Sequence, residues 1–165
     1  MKALIAAFGL LASVSASADD VRVIDPTTTA RVQNQIDTAW SWACLLQGMD
    51  CRSVPKPVVN YDSRLDVSYQ GAYMPGTATV NIALDFYGEK YAIVILVHEM
   101  THYLQYIAGG ANAYATKTLR CDMEREAFKN DEKVGRYLGL EDHPWAFTWE
   151  SVESLYGCTP EQLKR

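Results

Sequence analysis

At 165 residues and a formal net charge of −5, the chain is acidic and carries no run of Lys or Arg, which excludes a nucleic-acid phosphate backbone as its natural partner. Hydrophobic residues make up 48%, enough to fill one real core. No apolar run is long enough to span a bilayer, and the chain has no internal repeat or low-complexity segment.

Residues 1–18 read MKALIAAFGLLASVSASA: one Lys, a short apolar run, then small residues ending in Ala16-Ser17-Ala18. This is the pattern of a secretory signal cleaved after Ala18. The cleavage point has no Cys for a lipid anchor. The expected mature chain is a single domain, residues 19–165, secreted or periplasmic and monomeric. Removal of the signal takes away Lys2 and no acid, which moves the net charge from −5 to −6. Four cysteines behind such a signal favour disulfides over metal binding, since no C-x-x-C pair is present. Of the three possible pairings, Cys44–Cys51 closes a short loop around Gly48, and Cys121–Cys158 ties the C-terminal segment to a central helix.

Residues 26–47 form the first predicted helix, with Ala30, Val32, Ile36, Ala39, Trp40, Ala43 and Leu46 as its apolar positions and Gly48 ending it. Pro55 and Pro57 break the pattern. Three short strands are expected next, at residues 58–61, 65–69 and 77–84, with the turn Met74-Pro75-Gly76 before the third. Residues 89–107 are helical, because Ile93, Val97, Met100, Leu104 and Ile107 form one narrow stripe, and Gly109-Gly110 ends the helix. Further helices are expected at residues 120–138 and 143–156, the last with Pro144 near its start. The fold class is therefore α+β: a small, mostly antiparallel sheet with about four helices.

The helix at 89–107 carries the chemistry. Residues 94–105 read VILVHEMTHYLQ. His98 and His102 lie about 140–180° from the centre of the apolar stripe, so the stripe packs on the core while the imidazoles face the other way, into a cleft or a second lobe. Two His at i and i+4 can share one Zn²⁺, which then needs a third protein ligand. Glu99 projects beside the ion, placed to act as general base.

In His98-Glu99-Met100-Thr101-His102 and its hydrophobic lead-in, the chain resembles the zincin metallopeptidases. The metzincin branch continues with Gly and a third His. Here Tyr103-Leu104-Gln105-Tyr106 follows, so the resemblance is to the gluzincin branch, over residues 77–138. That branch takes its third ligand from a Glu-Ala pair on the next helix, with a hydrogen-bonding acid four residues on. Residues 121–131, CDMEREAFKND, offer Asp122, Glu124 and Glu126, and helical geometry leaves Glu124 and Glu126 open. The resemblance implies Glu126, followed by Ala127, with Asn130 as the imidazole partner in place of the family's Asp; Asp131 is adjacent. It also implies that residues 77–84 are the cleft-edging strand that pairs with an extended substrate.

Gln105, within about 60° of His102, is a candidate to line the cleft. His143, Tyr73, Tyr103 and Tyr106 are candidate oxyanion donors, although His143 also suits a helix start before Pro144. Taken together, these features predict an exported zinc-dependent hydrolase, a metallopeptidase acting on peptides or proteins. Two alternatives share the metal site: a non-catalytic zinc-binding interaction or inhibitory module, and a hydrolase of cell-wall peptides.

Overall fold

A computed structural model describes residues 26–65, 68–143 and 157–164. The expected signal at 1–18 and, apart from His143, the expected helix at 143–156 lie outside the described residues. Helix α1 spans Pro26–Gln47, strand β1 Val58–Asp62, β2 Gly71–Tyr73 and β3 Thr79–Ala83. Helices α2, α3 and α4 follow at Ala92–Gly109, Lys117–Leu138 and Pro160–Lys164. None of the described helices is long and apolar enough to cross a membrane.

The class is α+β with a small sheet, as expected. The sheet is mixed rather than mostly antiparallel. Its order is β1-β3-β2, with β1 parallel to β3 (Val58 opposite Thr79, Asp62 opposite Ala83) and β2 antiparallel to it (Gly71 opposite Ile82, Tyr73 opposite Val80). Strand β3 is therefore central, and β1 and β2 are the two edges.

The strand expected at 65–69 is not formed by the residues described there. Asp62 accepts the Arg64 amide (2.9 Å) and the Arg64 guanidinium (2.6 Å), and the Leu65 amide bonds back to the Asp62 carbonyl (3.3 Å). These local bonds make a turn and override a three-residue alternation. The second strand starts only at Gly71.

Helix α2 packs against α1, α3, β2 and β3. Of its apolar stripe, Ile93, Val97, Met100 and Leu104 are buried, while Ile107 is 45% exposed. Together with Ala39, Ala43, Val80, Ile82, Leu96 and Val134 they form the core. Helices α1 and α3 end in the same motif. Gly48 (φ +63°) and Gly139 (φ +67°) take the left-handed conformation. The next amides, of Met49 and Leu140, reach back to the carbonyls of Cys44 (2.9 Å) and Gly135 (2.7 Å). Thr116 caps the start of α3 by accepting the Leu119 amide.

Both expected disulfides are present, Cys44–Cys51 and Cys121–Cys158. The first fastens the loop after α1 to its last turn. The second fastens the chain before α4 to α3, one turn ahead of Glu124. Two disulfides fit a non-reducing compartment.

Candidate metal centre

Residues 92–105 of α2 are all buried, so any polar side chain on this stretch must find partners inside the protein. His98 and His102 face α3. Their rings meet edge to face, centroids 4.8 Å apart, with Phe128 of α3 packed on His98. The two Nε2 atoms lie 3.1 Å from each other. Glu124 Oε2 lies 3.4 Å from His98 Nε2 and 3.3 Å from His102 Nε2. These three side chains form the group that could hold a metal ion.

Two features test whether they fit one. The first is spacing: donors about 2.0–2.1 Å from a tetrahedral ion stand about 3.3 Å from one another, close to the three separations here. The second is the chemistry of the donor atoms. His98 Nδ1 faces Asp131 Oδ2 at 2.8 Å, and His102 Nδ1 faces Gln105 Oε1 at 2.9 Å. Each outer nitrogen meets an oxygen that can only accept, so each carries the ring hydrogen and leaves Nε2 with a lone pair. Glu124 Oε2 is buried without a hydrogen-bond donor. Three converging lone pairs repel unless a cation lies among them, so the residues fit a metal ion.

Without an ion, protons take its place. Burial works against a charge on either imidazole, but Asp131 and Glu124 outweigh it and hold His98 well above the usual histidine range. His102 is raised likewise, chiefly by Glu124 against the same burial. Burial would raise Glu124 too, yet the two imidazoles pull it well below the usual carboxylate range.

The third member corrects the expectation of Glu126. Glu126 Oε2 instead accepts from Gln105 Nε2 (2.8 Å), on the other side of α3. Two residues are about 200° of helix, so Glu124 and Glu126 cannot face the same point. The apolar stripe of α3 runs between them, and only the packing against α2 chooses a flank. The partner of His98 shifts for the same reason. Asn130 is not the imidazole's acceptor; it is buried and donates to Thr101 Oγ1 (3.2 Å), tying α3 to α2. Asp131, seven residues after Glu124, returns to within about 20° of it and takes that role. Gln105 does reach the site, as the acceptor for His102. His143 does not; its ring stacks on Tyr91 (centroids 4.3 Å, 7° between planes).

Glu99 is 7% exposed and looks out between α2 and β2. Burial pushes its carboxyl above the usual range, against the pull of both imidazoles and of the Tyr73 amide, which donates to it. Gly71 makes the approach possible: a Cβ there would stand 2.9 Å from Glu99 Cγ and 2.8 Å from Ile95 Cγ2. Two hollows meet at Glu99. One, about 190 Å³, has apolar walls from Tyr91, Val94, Ile95 and Phe128 on the His98 side. The other, about 120 Å³, lies on the His102 side between Gly71, Tyr73, Tyr114 and Glu124.

The expected cleft-edging strand at 77–84 is replaced by β2, since β3 is flanked on both sides. Among the tyrosines, Tyr103 donates to the Pro55 carbonyl and Tyr73 to the Thr77 carbonyl, both pointing elsewhere. Tyr114 lies at the site instead, beside Glu99, His102 and Glu124, with its hydroxyl donating to the His102 carbonyl (3.3 Å). Sequence reasoning missed Gly71 and Tyr114. A three-residue strand is too short to alternate, and Tyr114 lies in a turn beyond α2. The one available signal was a Gly ahead of Ala72-Tyr73 and the turn at Met74-Pro75-Gly76.

Compared with family models, curated proteins and solved structures, the chain gave no match.

Proposed function

We propose that this protein is a zinc-dependent hydrolase of peptides, with His98, His102 and Glu124 as the metal ligands and Glu99 as the general base. The observation that carries the reading is the buried Glu99 carboxylate beside three converging donors, open to a cleft. A purely structural zinc site would have no use for it. A zinc ion in this site supplies Lewis acidity, making water more acidic and polarising a carbonyl oxygen.

The chain's own residues would do the rest. Glu99 takes the proton of the attacking water on its carboxylate and passes it to the leaving amine nitrogen. Its burial keeps its basicity up, as that transfer needs. Tyr114, whose hydroxyl stays protonated because burial raises it, stands on the His102 side; to donate to the oxyanion its hydroxyl would turn from the His102 carbonyl, to which it donates at 3.3 Å. Strand β2 offers the edge for an extended substrate. Gln70 accepts the Ala83 amide within the sheet (2.9 Å), so by alternation the backbone groups of Gly71 point away from β3 and into the cleft. The two disulfides and the signal-like residues 1–18 agree with export to the periplasm or the medium.

The test is a casein or mixed-peptide digest with and without chelator, on the wild type and on Glu99→Gln. The expected wild-type activity stops with chelator and returns with zinc. Glu99→Gln should keep its metal and lose about 10²–10⁴-fold in rate. Normal turnover by that variant would remove Glu99 from the role of base. Bound metal with no turnover on any peptide would favour a non-catalytic zinc-binding module.

A further inference from the structure

The two imidazoles need their lone pairs on Nε2, and a neutral ring can carry its hydrogen on either nitrogen. For His98 the choice is made by the Asp131 carboxylate, which can only accept. The partner of His102 is an amide, which can accept at one end and donate at the other. An amide turned over would present its NH₂ group to His102 Nδ1. The ring hydrogen would then move to Nε2 and block the ligand atom.

Helix α3 prevents this. Gln105 is 9% exposed, and one end of its amide faces two oxygens, the Met123 carbonyl at 3.2 Å and Glu126 Oε2 at 2.8 Å. Neither can donate, so that end must be the NH₂ group, and its two hydrogens are matched by two acceptors. The other end is therefore Oε1, 2.9 Å from His102 Nδ1, and that nitrogen must carry the ring hydrogen. The lone pair is left at Nε2, beside His98 and Glu124.

We propose that Gln105 is a positioning residue that fixes the metal-binding tautomer of His102, and that Met123 and Glu126 fix Gln105. This rests on the reading of His98, His102 and Glu124 as zinc ligands. One turn of α3 then does two things: Glu124 faces forward as a ligand, while the Met123 carbonyl and Glu126 face back and orient the partner of the second imidazole. Glu126, two residues after Glu124 in sequence without being a ligand itself, thereby gains a role. An acceptor held in this way is the kind of outer partner whose loss costs about 10–100-fold in metal affinity.

Two measurements test it. In metal-free wild type labelled with ¹⁵N-histidine, at alkaline pH, the His102 ring should carry its hydrogen on Nδ1; finding it on Nε2 would overturn the proposal without any variant. Zinc affinity, from competition with a chromophoric chelator, should fall about 10–100-fold in Gln105→Met. The double variant Gln105→Glu/Glu126→Gln should recover part of that loss, because Glu accepts from His102 and the new Gln supplies a donor, while the Met123 carbonyl is left facing an oxygen. A side chain needed only for packing gives the opposite order: Met, of similar length, keeps the affinity and the buried Glu loses it. That order would refute the tautomer role while leaving the zinc site standing. A wild-type chain that takes up no zinc overturns the zinc reading itself, and this inference with it.

Discussion

His98 and His102 sit one turn apart on one helix and point at the same spot, but they are held from behind in different ways. His98 leans on a charged carboxylate from another helix, Asp131 of α3. His102 leans on a neutral amide from its own helix, Gln105. A charge-assisted hydrogen bond is roughly twice as strong as a neutral one. The first imidazole therefore depends on the docking of α3, and the second on local helix geometry with α3 acting one step removed. A two-histidine motif shows only the shared half of this arrangement; what differs is supplied by the neighbouring helix.

The comparison breaks most completely if either ring is removed. His98→Ala and His102→Ala should each abolish stoichiometric zinc, measured by elemental analysis after dialysis. Retention in either would mean that the rings do not act as a pair. The next effect separates the two supports. Asp131→Ala should weaken zinc towards the upper end of the roughly 10–100-fold range expected for such partners, and Gln105→Met towards the lower end. Equal losses in a chelator competition would deny the difference between charged and neutral support.

Gly71→Ala should act on Glu99 and spare both histidines. The added Cβ must displace Ile95 or Glu99, at a cost of about 1–3 kcal/mol in stability by overpacking. Thermal unfolding and peptide turnover should both fall while zinc content holds. The smallest effect is on pH dependence. Without metal, both imidazoles have folded-state values raised above 6.5. The stability they contribute is fully present below pH 6.5 and is lost as pH rises through their raised values. Glu99 and Asp131 are raised as well and act in the same direction, while Glu124, being lowered, matters only in acid. Binding of a metal ion by these ligands would have the opposite slope, because they must be deprotonated. Melting curves with and without chelator should therefore diverge as pH climbs from about 6, and His98→Ala and His102→Ala should each flatten the metal-free slope.

Much of this could be read from the chain. Helices α1 and α2 follow from their apolar spacing and from Gly48 and Gly109-Gly110. The cysteine spacing suggested the two disulfides, and His98-Glu99-x-x-His102 marked the site. Long-range packing decided the rest. The flank of α3 that meets α2 is chosen in three dimensions, so Glu124 with Asp131, and not Glu126 with Asn130, face the histidines. The strand order β1-β3-β2 depends on a parallel crossover that no local pattern encodes, and it moves the cleft edge from residues 77–84 to Gly71–Tyr73. The turn held by Asp62 and Arg64 hid this shift behind the alternation of Leu65, Val67 and Tyr69.

The central claim is that the third donor comes from the flank of α3 bearing Glu124, and zinc stoichiometry in two neighbouring variants tests it most directly. Glu124→Ala should purify without zinc, and Glu126→Ala should keep one ion per chain with at most a modest loss of affinity. Zinc lost from Glu126→Ala and retained by Glu124→Ala would contradict the account.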